Sequence, residues 1–112
     1  MEERRKYPRF KKPVGVKIHR PANEDEIGVI DISLGGIAIY GSLKYCHLED
    51  VVYVELKLSK GDSIVCNARI AWMYPNIKEA QVYKAGLEFL DMSESDKEKL
   101  RIFLEYPSTG SD

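Results

Sequence analysis

The chain of 112 residues has two cysteines, two histidines and one tryptophan. Two thiols are too few for the disulfide framework of a small secreted scaffold, and in a reducing compartment they stay unpaired. Cys46-His47 is an adjacent pair without the spaced partners of a zinc site, so no metal and no resident cofactor are expected. His19 and His47 have no partner at catalytic spacing. There is no phosphate-binding P-loop, nucleophile elbow or paired-carboxylate arrangement, and Ser33, close to Asp31, lacks a base to activate it. These absences argue against an enzyme. No apolar run approaches the ~20 residues of a membrane span. Met1-Glu2-Glu3-Arg4-Arg5 is followed by no apolar stretch, so no secretory signal is read there and the cytoplasm is the expected compartment. Internal repeats and low-complexity segments are also missing.

What is present fits one globular domain: 44% apolar and 31% charged residues, in a chain long enough to bury one real core. The net charge of -1 conceals an asymmetry. Residues 1–20 hold eight Lys/Arg against Glu2 and Glu3, for +6, whereas the other 92 residues hold nine against sixteen Asp/Glu, for -7. A basic arm on an acidic body points to an anionic partner, or to an arm docked on its own domain.

Residues 1–12 are polar and unpatterned and read as a flexible basic arm, closed by Pro13. Val14, Val16 and Ile18 then alternate with polar or small residues, the signature of a half-buried strand. A turn at Pro21–Asp25 leads into a β-branched strand, Ile27 to Ile32. Leu34-Gly35-Gly36 breaks it, and Ile37 to Tyr40 resume extended structure, which Gly41 is expected to end. Val51 to Leu58 form a strand with Val52, Val54, Leu56 and Leu58 on one face. After a turn at Lys60-Gly61-Asp62, Ile64, Cys66, Ala68, Ile70 and Trp72 alternate through a long strand. The last strand runs from about Val82 to Leu90. Asp91 to Tyr106 change to helical period, with Ser93 or Ser95 as cap, Leu100, Phe103 and Leu104 as a narrow apolar stripe, and Pro107 as the stop. Short strands with frequent turns followed by one helix predict a small antiparallel barrel, the helix covering one opening. The arm is then 1–12, the barrel with its helix 13–106, and a frayed tail 107–112.

Two short runs carry the chemistry. Arg5-Lys6-Tyr7-Pro8-Arg9 sets two arginines on a proline-stiffened segment, roughly 13 Å apart if extended at ~3.3 Å per residue. Guanidinium forks bind phosphate oxygens and the O6/N7 edge of guanine. Asp31-Ile32-Ser33-Leu34-Gly35-Gly36 follows after 21 residues, Phe10 to Ile30. On a strand Asp31 and Ser33 share a face. The carboxylate can accept guanine's N1–H and amino donors side by side, the hydroxyl can bond a phosphate, ribose or base atom, and the glycines admit a ligand close to the backbone. An ordinary Ser turn would explain the second run alone, and a solvated tail the first. Together they supply donors for one edge of guanine and acceptors for the other. Trp72 and Tyr74 could stack on a base or simply pack.

At these residues the chain resembles the PilZ domain family, receptors for cyclic diguanylate (cyclic di-GMP). The family's pattern is Arg-x-x-x-Arg and, further along, Asp/Asn-x-Ser-x-x-Gly. The matches are Arg5 and Arg9, then Asp31, Ser33 and Gly36. Ala68-Arg69-Ile70-Ala71-Trp72 and Ala85-Gly86-Leu87-Glu88-Phe89 look like its later strands, so the resemblance spans about residues 4–105. It implies a six-stranded antiparallel barrel with a C-terminal helix. It places Arg5 and Arg9 on the ligand's phosphates and guanines, with Asp31 and Ser33 at a guanine and Gly35 and Gly36 shaping the loop. Arg4 is compatible with holding a stacked ligand pair, and Trp72 is a secondary candidate. The expected role is a second-messenger receptor that signals to a protein effector in motility, biofilm or exopolysaccharide control. An adaptor that binds no nucleotide and an RNA-binding barrel are the alternatives; the acidic body disfavours a nucleic-acid track.

Overall fold

The computed structural model describes residues 7–12, 14–19, 27–43, 46–58, 61–79 and 82–105. Arg4 and Arg5, the turn at 21–25, Lys60, Pro107 and the tail lie outside the described residues. The alternating segments become six strands: β1 (Gly15–Ile18), β2 (Ile27–Ile32), β3 (Gly36–Ser42), β4 (Val51–Lys57), β5 (Ser63–Pro75) and β6 (Val82–Phe89). Their order is β1-β4-β5-β6-β3-β2, every neighbouring pair antiparallel. The two edges, β1 and β2, come close to each other, which nearly closes the sheet into a barrel.

The inward face holds Ile18, Ile39, Val54, Leu56, Ile64 and Ile70, all essentially inaccessible to water. Alternation in β4 matches its sequence pattern, with Val52, Val54, Leu56 and the following Leu58 buried. Gly41 does not end β3. It pairs with Ile27 on one side and Tyr83 on the other, and the strand continues to Ser42 because the β6 ladder reaches that far. Both cysteines are buried and unpaired. Burial, helped by Asp91 and Asp96, pushes the Cys66 thiol up to about 11, so it is an inert core group.

Helix α1 (Glu94–Glu105) starts where Ser93 Oγ accepts the Asp96 N–H at 3.1 Å, so Ser93 is the cap. Leu100 and Leu104 join the barrel's apolar cluster, with Phe103 partly buried against it. The helix has no basic residue in its last turn. Lys12 supplies that charge from the other end of the chain, its Nζ donating to the Phe103 carbonyl at 2.9 Å and standing 5.3 Å from the Phe103 ring centroid. Leu100 is 0% exposed. Leu100→Ala should therefore cost about 2–5 kcal/mol in urea unfolding, the range for emptying a buried leucine site. An unchanged urea midpoint would show that the helix is not part of the cooperative core.

Candidate functional site

Two β-bulges build the site. In the β2–β3 ladder Val29 pairs with Ile39, but Asp31 pairs with Ala38, leaving Ile30 as the extra residue. In the β5–β6 ladder Ile70 pairs with Leu87, but Trp72 pairs with Gly86, leaving Ala71 extra. Side chains alternate faces along a strand, so one inserted residue turns the next one over. Asp31 and Trp72 are thereby carried to the barrel's outer face. Alternation by itself groups Trp72 with the inward-facing Ile64, Cys66, Ala68 and Ile70; the bulge at Ala71 corrects that grouping.

The registers then align one row across four strands: Asp31, Ala38, Gly86, Trp72. The row has an acid at one end, an indole at the other and almost no side chain between them. A β-carbon at Gly86 would run into the Trp72 indole, so the glycine is what lets that ring lie on the sheet. The adjacent row is Gly36, Glu88, Arg69. Together these rows floor a cleft of about 360 Å³.

The turn after β2 forms the rim. Ser33 Oγ accepts the Gly35 and Gly36 N–H groups at 3.1 and 3.2 Å, and the Ser33 N–H donates to the Gly36 carbonyl at 2.8 Å. Ser33 is only 9% exposed. Its oxygen is thus committed to the turn, while its own O–H points to the Gly36 carbonyl over a long 3.4 Å. The serine of the motif holds the backbone shape before it does anything else. At Gly36 an added β-carbon would strike the Leu87 carbonyl oxygen on β6, so the close β3–β6 approach requires glycine. At Gly35 a β-carbon would lie 2.8 Å from the Tyr7 ring, which rests on that glycine.

Residues 7–12 bring the arm to this rim. Phe10 and Ile32 exchange both backbone hydrogen bonds, at 2.8 and 2.9 Å. That bridge puts Arg9 beside Asp31, Nη1 to Oδ1 at 3.5 Å. Both groups are partly exposed, so the pair is weak and easily opened. Across the cleft, Arg69 donates to Glu88 at 2.6 and 3.0 Å and to Glu49 at 2.7 Å. The hydrogen bonds to Glu88 and then to Glu49 raise the pKa of Arg69. Among the described lining residues the charged groups are Arg9, Asp31, Arg69 and Glu88, two of each sign.

Six residues singled out in the sequence, Arg9, Asp31, Ser33, Gly35, Gly36 and Trp72, meet at this one cleft. Arg4 and Arg5 lie outside the described residues. Sequence reading missed Tyr7, Arg69 and Glu88. Tyr7 sits inside the arginine run, and an Arg and a Glu on successive strands are a cross-strand pair once the register is known. No group of three or more His, Cys, Asp or Glu among the described residues could hold a metal. No described helix is long and apolar enough to cross a membrane.

The sequence profile of the PilZ domain matches residues 3–106. The chain belongs to the PilZ domain family. PilZ domains are receptor and adaptor modules rather than enzymes. A solved structure described as the Bacillus subtilis inhibitor of motility (MotI/DgrA) superposes with a TM-score of 0.76 at 20% identity. The likeness covers 92% of this chain and 50% of that one, so the PilZ chain spans about half of its structural neighbour's length. At that identity the likeness speaks for the fold. A search of curated proteins found no match.

Proposed function

We propose that this PilZ domain is a cytoplasmic, non-enzymatic receptor for cyclic diguanylate that folds its arm over the ligand and presents the altered surface to a protein effector. The observation that carries this reading is the convergence of Arg9, from the arm, with Asp31 and the Ser33–Gly36 turn on one cleft. The three are brought together by the Phe10–Ile32 bridge and the bulge at Ile30.

The chemistry follows from those groups. Asp31 gives up its long contact with Arg9 and accepts the two side-by-side donors of a guanine. Arg9, freed, turns its fork to phosphate or to guanine O6/N7. The Ser33 hydroxyl proton can leave its long bond to Gly36 for a ligand oxygen without disturbing the two N–H bonds that hold the turn. Trp72, lying on Gly86, offers a face for the second base. The described lining brings equal numbers of cations and anions, so the surplus positive charge for two phosphates comes from Arg4, Arg5 and Lys6. Closing the arm on the ligand costs free energy, offset by charge-assisted bonds of ~1.5–3 kcal/mol each. The arm's closure thereby becomes a switch that an effector can read.

Calorimetric titration tests this. Cyclic diguanylate should bind saturably, cyclic diadenylate should not compete, and affinity should fall only shallowly with salt. Steep log–log salt dependence with competition by RNA would point instead to a nucleic-acid barrel. Absence of any binding heat or chemical-shift change with cyclic diguanylate would leave a protein adaptor.

A further inference from the structure

Among the described residues other than glycine, only Glu49 has a positive φ, 75°. It stands third in the turn His47–Asp50, which the Asp50 N–H closes on the His47 carbonyl at 3.0 Å. That φ suits the third position of a type II turn, where glycine or asparagine is favoured, because a β-carbon there crowds the backbone. Such a conformation persists where the surroundings over-determine it. Here the turn is stitched to β5, the Glu49 N–H donating to the Ile70 carbonyl at 2.8 Å and the Ile70 N–H to the Asp50 carbonyl at 2.9 Å. The side chain then reaches Arg69, Nη1 to Oε1 at 2.7 Å.

Arg69 lines the cleft, whereas Glu49 lies outside it. One guanidinium is thus gripped from two sides, by Glu88 within the cleft and by Glu49 from the turn behind it. The Glu49 side chain is 64% exposed, so its grip is readily exchanged for water or for another anion. Carboxylate and phosphate present the same acceptor geometry to a guanidinium fork.

Resting on the receptor reading above, we propose that Arg69 is a further ligand-binding residue and Glu49 the counter-ion that the ligand's phosphate displaces. Glu88 keeps the guanidinium plane in place through Nε and Nη2. Nη1 passes from the Glu49 carboxylate to a phosphate oxygen. Glu49 is released to solvent, and the turn 47–50 loses its side-chain tether to the cleft. Glu49 therefore competes with the ligand and lowers its affinity.

A double-mutant cycle by calorimetry with cyclic diguanylate, using the full chain, tests this. Arg69→Met should weaken binding about tenfold or more, the equivalent of one charge-assisted hydrogen bond. Glu49→Gln should tighten it by a factor of about two to five, as expected for removing an exposed ion pair. In the Arg69→Met background the Glu49→Gln gain should vanish, since the two residues act through one contact. Should Arg69→Met fail to fold, Arg69→Lys, which keeps the charge and loses the fork, takes its place with the same expected pattern at smaller amplitude. Unchanged affinity in the Arg69 variant overturns the assignment. So does an equal Glu49→Gln gain in both backgrounds, which would mean a general field effect. If the parent binds while the Arg69 variant is indifferent, only this inference falls; if the parent does not bind, the receptor reading falls with it.

Discussion

Arg9→Ala and Arg5→Ala should each abolish cyclic diguanylate binding while leaving the thermal midpoint of the free protein nearly unchanged. Geometry singles out Arg9. Its guanidinium is already at the cleft, 3.5 Å from the carboxylate of Asp31, and it is partly exposed on a segment pinned by the Phe10–Ile32 bridge. A bidentate contact to phosphate or guanine contributes two charge-assisted bonds of ~1.5–3 kcal/mol each, so losing it weakens binding by about a hundredfold or more. In the free protein the same side chain makes one long surface ion pair, worth at most about 1 kcal/mol. Binding and stability are therefore separable at this position. The family motif and the charge balance of the cleft single out Arg5. The described lining is balanced, and a doubly anionic ligand needs cations from residues 1–6. Calorimetry with parallel thermal melts decides the matter. Affinity within about threefold of the parent in both variants, a difference of well under one hydrogen bond, would remove the arm from the mechanism.

The second large effect separates two adjacent glycines. Gly36→Ala should destabilise the fold by about 1–3 kcal/mol or more, because the new methyl meets the Leu87 carbonyl and a backbone cannot step aside as a side chain can. Pairing of Gly36 with Glu88 would open, in the row that carries Arg69, so binding should fall together with the melting temperature. In a domain of this size each kcal/mol shifts the midpoint by roughly 4–8 °C. Gly35→Ala should behave differently. Its methyl meets only the Tyr7 ring, on an exposed stretch of the arm that can move aside. The melt should stay within about 2 °C of the parent, in keeping with a surface substitution. Binding should weaken because the arm loses its seat. A Gly36→Ala protein that melts like the parent would contradict the close approach of β3 and β6. The reverse ranking of the two variants would mean that the turn, and not the strand contact, sets the requirement for glycine.

Much of this fold and cleft is legible in the residues themselves. Alternation in Val52–Leu58 and Ile64–Ile70 marks the strands, because a two-residue period with β-branched side chains has few other outcomes. Ser93 and the stripe of Leu100, Phe103 and Leu104 mark the helix. The arginine run, the Asp-x-Ser-x-x-Gly run and the lone tryptophan supply six cleft residues, because the chemistry of each is carried by its own side chain. Tertiary structure alone decides which way two of them, Asp31 and Trp72, face. The bulges at Ile30 and Ala71 depend on how neighbouring strands pair, and a single inserted residue leaves the local pattern almost unaltered while reversing everything after it. The partners of Arg69 and Lys12 are hidden for the same reason. Composition and period report what a residue is and how its own segment extends, whereas a contact across 20 or 91 positions is set only when the sheet closes and its register is fixed.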